Sequence, residues 1–195
     1  MKVFYMSRKL ETGDGLCPDE NKYLSRVDPF IRALERSEDC FYSMILQGKY
    51  LYSVFRHSGL NEEEADYAKW AAEAVFEYVR RREFPNSVSR LGCNVYYDAP
   101  EDARQIFRSL GEGSEKAVQM YLYEVELDEK RPTYYDRSIF RMAYEILGEN
   151  QDLNKAIQTA RRYFAGKRTS TPLLELLSEK QAIILTEAEE LHQES

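Results

Sequence analysis

The chain has 195 residues, 43% of them hydrophobic and 31% charged, with a formal net charge of −7. That length and apolar content predict one domain over 1–195 with a core of its own, and the negative balance argues against general nucleic-acid binding while leaving room for a local basic groove. "MKVFYMSRKLETGDG" lacks the apolar run of a secretory signal, no stretch approaches the ~18 apolar residues of a membrane span, and Cys17, Cys40 and Cys93 show no metal-ligand spacing.

The expectation is therefore a cytoplasmic protein with reduced thiols, no metal and no membrane contact. In chain order, "KVFYMS" is a β-prone run, and "ETGDG" after it marks a turn in which Asp14 beside Gly13 reads as a turn residue. From Pro29 to His57 the pattern is helical, with Asp28 as candidate N-cap, Pro29 at the first helical position and Gly48 as a possible break. "NEEEADYAKWAAEAVFEYVRRREF" is the clearest element. Asn61 and Glu64 fit a capping box, and Ala65, Ala68, Ala72, Val75, Phe76 and Val79 fall on one apolar face. Arg80, Arg81 and Arg82 close it, as a solvated end matched to the helix dipole or as a basic rim for phosphate or RNA.

Beyond Pro85, "SVSRLGCNVYYDAPEDARQIFRSL" predicts a strand, a turn and a short helix from about Pro100. "AVQMYLYEVELD" alternates as a long strand, with Met120, Leu122, Glu124 and Glu126 opposite Tyr121, Tyr123, Val125 and Leu127. "DRSIFRMAYEILGEN" fits strand or helix. "DLNKAIQTARRYFAGK" is a helix capped by Asp152, apolar at Leu153, Ile157, Ala160 and Phe164, and ended by Gly166. "PLLELLSEKQAIIL" predicts two short strands, with Glu175 either facing water or placed for chemistry, before an acidic tail over 186–195. Strands broken by helices give an α+β plan with a mostly antiparallel sheet and a helical part over roughly 28–84.

The two histidines, His57 and His192, are far apart, which leaves a zinc site or a Ser-His-Asp triad unsupported. Neither a P-loop nor a GxGxxG after a strand is present. Tyrosine is abundant, at 15 residues, and suits both half-buried strands and stacking on a planar ligand. Tyr96 and Tyr97 are adjacent on a strand, so they point to opposite faces and at most one lines a pocket.

Four pieces together resemble the ADP-ribosyltransferase superfamily: "FYMSRKLETGDGL" its first strand and loop, "NVYYDAPEDARQIF" its tyrosine strand and following helix, "QMYLYEVEL" the next strand, and "ELLSEKQAIIL" the ending that carries the catalytic glutamate. "FEYVRRREFPNSVSRL" resembles the middle of an uncharacterised bacterial domain of this kind. Met6 stands where rifampin-type members have histidine, and Leu173 where arginine-directed members have a second glutamate. Ser87-Val88-Ser89 echoes the Ser-x-Ser of the latter class.

The resemblance implies a split, mostly antiparallel sheet with a helical insertion after the first strand. It implies mono-ADP-ribosyl transfer from NAD to a protein, nucleic acid or small molecule, as in a toxin, effector or defence component, with a partner or antitoxin protein possible. Glu175 would stabilise the oxocarbenium-like ribose, as carboxylates do in glycoside cleavage. Tyr5, Met6, Tyr96 and Tyr97 would face the flat rings, and Arg8, Ser89 and Arg90 the diphosphate. The alternative is the same fold without catalysis, binding a nucleotide or a partner protein. A third reading is an RNA-directed variant that uses "RRR" at Arg80 to Arg82 and "RRYFAGKR" at Arg161 to Arg168.

Overall fold

The computed structural model describes residues 1–19, 23–58, 67–111 and 119–192. The Asn61–Glu64 capping box and Ala65 lie outside them. In chain order the elements are β1 (Lys2–Ser7), β2 (Gly15–Leu16), α1 (Leu24–Arg36), α2 (Glu38–Ser58), α3 (Tyr67–Glu83), β3 (Asn94–Tyr97) and α4 (Pro100–Gly111). There follow β4 (Met120–Leu127), β5 (Tyr134–Asp136), α5 (Arg137–Glu145), a π turn at Ile146–Asn150, α6 (Leu153–Phe164), β6 (Leu174–Ser178), β7 (Ala182–Ile184) and β8 (Glu189–Leu191). This is an α+β fold on an antiparallel sheet that curls into a half-barrel, with strand order β2-β7-β4-β1-β3-β6-β5 and β8 paired to β4.

Three local expectations change. Pro29 lies inside α1, which starts from Tyr23, whose carbonyl accepts from Arg26 and Val27 N–H at 3.1 and 3.2 Å. Asp28 therefore caps nothing and pairs with Arg32 at 2.7 Å. Gly48 does not break α2. It lets α3 come close, since a Cβ there would stand 2.5 Å from Cβ of Tyr67. The acidic tail contains β8, which pairs Leu191 with Met120 and buries Leu191. Elsewhere the capping chemistry holds: Asp152 accepts from Lys155 N–H at 2.9 Å, and Gly166 takes the left-handed φ of 68° that ends α6.

The strand registers fix which side chains share a face. Tyr5 pairs with Tyr123 of β4 and Tyr96 of β3, Tyr96 with Leu176 of β6, and Leu176 with Tyr134 of β5. Opposed residues in an antiparallel ladder point the same way. These five side chains therefore form one row on the inner face, within a cluster that includes Val3, Val125, Leu127 and Ile184. Helices cover the other face. Ala103, Ile106 and Phe107 of α4 pack on Tyr97, Leu122, Phe4 and Met6. α1, α2, α3, α5 and α6 form the larger core, with Tyr135 and Leu177 beneath it. β6 and β7 do not form a hairpin: β6 lies between β3 and β5, and β7 between β2 and β4.

Candidate functional site

Glu175 faces neither water nor the inner face. Alternation along β6 turns it away from Leu176 and under the helices, where it pairs across from Tyr135 and is 0% exposed. A bare carboxylate there would cost several kcal/mol, so the fold must supply cations and donors. Its Oε1 accepts from Nη1 of Arg90 and, at 2.7 Å, from the hydroxyl of Tyr163 on α6. Its Oε2 accepts from Nη1 of Arg137, the first residue of α5, at 3.2 Å. Arg90 also grips Glu73 of α3, through Nε at 3.0 Å and Nη2 at 3.3 Å, and its guanidinium lies 4.1 Å over the ring of Phe140. Burial would raise the Glu175 carboxyl, but the charges of Arg90 and Arg137 and the hydrogen bonds from Tyr163 and Arg90 outweigh it and hold it below the ordinary glutamate value. Burial opposes the charge of Arg90 too, and Glu175 and Glu73 reverse that effect.

The residues expected at the diphosphate are therefore committed elsewhere. Arg90 spends its donors on two internal carboxylates and on Tyr163. The hydroxyl of Ser89 donates to Glu77 at 2.9 Å. Glu77 also accepts from Arg80 at 2.8 and 2.9 Å and from Arg81 at 2.7 Å, so two of the three α3 arginines serve a buried carboxylate. Arg8 differs: it is exposed, its side chain carries no ion pair among the described residues, and its carbonyl accepts from the Tyr123 hydroxyl at 3.3 Å.

The aromatic candidates divide between the faces. Tyr97 and Met6 pack under α4. Burial pushes the Tyr97 phenol up to about 12. Tyr5 and Tyr96 share the inner face, ring centroids 5.6 Å apart. Tyr96 is fully buried, and burial pushes its phenol up to about 12. Tyr5 is half-buried, and its hydroxyl has no hydrogen bond among the described residues. At one end of the row Tyr134 donates to Asp98 at 2.9 Å. At the other, Tyr123 accepts from Leu10 N–H at 2.7 Å. Glu175, Tyr97 and Met6 thus lie on one side of the sheet and Tyr5 and Tyr96 on the other, so these five strand candidates do not converge on one cleft.

Sequence reading missed Glu73, Glu77, Arg137 and Tyr163, which complete the buried polar clusters, and Tyr123 and Tyr134, which complete the row. A signal for the first pair exists: Glu73 and Glu77 interrupt a helix that is otherwise apolar on nearly every side.

Comparison with known families gives one match. The model of a family described as "Protein of unknown function (DUF2441)" covers residues 21–191, most of the chain, so the chain belongs to that family. No curated protein matches it.

Proposed function

We propose that this member of the DUF2441 family is a nucleotide-binding module, with NAD as first candidate ligand, and that its sheet is of the ADP-ribosyltransferase type its sequence resembles. The row Tyr123–Tyr5–Tyr96–Leu176–Tyr134 carries the reading. Tyr96, Tyr123 and Leu176 are buried and form the floor of the row, and the half-buried phenol rings of Tyr5 and Tyr134 offer a flat apolar surface with a polar tip, which suits a base or a nicotinamide. Among the described residues the Tyr5 hydroxyl in that row has no hydrogen-bond partner, and Arg8, just past the end of β1, has no ion pair, which leaves its guanidinium for a diphosphate.

Bound NAD would bring a ribose–nicotinamide bond, and breaking it calls for a carboxylate held against the ribose. Glu175 lies across the sheet from the row and is held by Arg90, Arg137 and Tyr163. No rotamer change carries a side chain through its own sheet. This favours binding without transfer. The adjacency of β1, β3 and β6 favours the second reading, ADP-ribosyl transfer to a protein, nucleic acid or small molecule, because these are the strands to which the resemblance assigns the site.

Calorimetry with NAD, followed by chromatography of the mixture, separates the two. The expected result is binding with NAD recovered intact, weakened about tenfold by Tyr5→Ala, since one base–aromatic stack contributes ~1–3 kcal/mol. Absence of binding at millimolar NAD refutes the proposal. Nicotinamide release that a folded Glu175→Gln protein loses would establish the transfer reading instead.

A further inference from the structure

We propose that the neighbouring C-terminal ends of α3 and α6 form a docking surface for single-stranded nucleic acid, on a part of the molecule separate from the tyrosine row. The two arginine-rich stretches are far apart in sequence, and the fold brings them together. Arg161 of α6 forks onto Glu83 of α3 at 2.7–3.0 Å. The rings of Phe84 and Phe164 stack beside that pair, 5.7 Å apart. Glu83, the acidic residue at the junction, is thereby neutralised by Arg161.

Four further cations stand at or just past these two helix ends: Arg82, Arg162, Lys167 and Arg168. All four are exposed, and none carries an ion pair among the described residues. The helix dipole accounts for charge within the last turn, hence for Arg82 and Arg162. It does not account for Lys167 and Arg168, which follow the Gly166 turn beyond the end of α6. On a chain of net charge −7, an unpaired cationic patch focuses an anionic partner onto one place.

Two features favour nucleic acid over an acidic peptide or a lipid surface. Three of the four cations are arginines, whose planar forks match phosphate oxygens. Arg82 lies 4.2 Å over the Tyr78 ring, a guanidinium–aromatic pair beside which an unpaired base can stack. Among the described residues, none of those exposing large apolar surface belongs to the patch, so it offers a membrane no insertion point there.

The test is fluorescence anisotropy of a labelled single-stranded oligonucleotide of about 12 nucleotides, across a salt series. Four phosphate contacts give a log–log slope near −2.8, about a 50-fold loss of affinity between 50 and 200 mM salt. Arg162→Glu with Arg168→Glu should weaken binding more than tenfold at unchanged melting temperature. Arg82→Lys, which keeps the charge and loses the planar guanidinium, should weaken it severalfold. Failure to bind at 50 mM salt, or binding indifferent to the charge reversals, overturns the proposal. So does binding of polyglutamate or of phosphatidylserine vesicles as tight as that of the oligonucleotide at matched salt.

Discussion

Replacing Glu175 by glutamine tests the buried ion cluster directly, because the change keeps shape and removes one charge. In the native cluster Glu73 and Glu175 face Arg90 and Arg137, two carboxylates against two guanidinium groups. Glutamine still accepts from Tyr163 and Arg90 through its carbonyl, but its amide meets Arg137 donor to donor. Breaking a buried pair costs ~3–5 kcal/mol. Two features place this case at the lower end: Arg90 keeps Glu73, and Arg137, 24% exposed, can turn to water. About 3 kcal/mol in a protein of this size lowers the melting temperature by roughly 6–12 °C. Arg90→Met should cost more, since it leaves two buried carboxylates with one partner fewer. Circular-dichroism melts at neutral pH read both. A Glu175→Gln drop under about 2 °C, or Arg90→Met milder than Glu175→Gln, would refute a paired, sequestered carboxylate.

Acid should unfold the protein through three carboxylates. Burial alone would raise Glu175, Glu77 and Asp136, but arginine partners at the first two, and the backbone and hydroxyl donors of Thr169, Ser138 and Leu173 at Asp136, bring all three below their ordinary values. Folded values below unfolded ones mean stability present above the ordinary values, near 4.5 for glutamate and 3.8 for aspartate, and lost as pH falls through the folded values. Urea midpoints should stay flat from neutral pH to about 5.5 and fall steeply below about 4.5; a midpoint that rises on acidification would contradict the pairing. Gly48→Ala should cost ~1–3 kcal/mol in the same assay, because its Cβ would meet Cβ of Tyr67 at 2.5 Å on a helix that cannot yield cheaply. Asp136→Ala should cost about 3 kcal/mol, by leaving the Thr169 and Leu173 N–H groups without their acceptor and α5 without its cap. Alkylation at mildly alkaline pH, followed by mass spectrometry, should label exposed Cys17 first and Cys93 last, since burial pushes the Cys93 thiol up to about 12.

Much of the fold was legible because its signals are local. α4 starts at Pro100, α6 runs over Leu153–Phe164 between its Asp152 cap and the Gly166 turn, and β4 alternates over Met120–Leu127 as its pattern requires. Three residues of β5 and two of β2 are too short for periodicity to register, so neither was assigned as a strand of its own. The start of α1 was displaced because Pro29 mimics a first-turn proline while tertiary packing extends the helix back to Leu24. The candidate site was legible only as a set of residues. Arg90 and Ser89 look like phosphate donors in isolation, and only the approach of α3 shows that Glu73 and Glu77 already occupy them.

The sequence by itself determined the α+β plan, the antiparallel strands and the two ends of α6, because propensity, alternation and capping act within a few residues. Tertiary structure alone decided the side of the sheet on which each candidate lies. Side chains alternate along a strand, but register and the helices above assign one parity to the core and the other to the inner face. That assignment puts Leu176 in line with Tyr5 and Tyr96, and turns Glu175 toward Arg90.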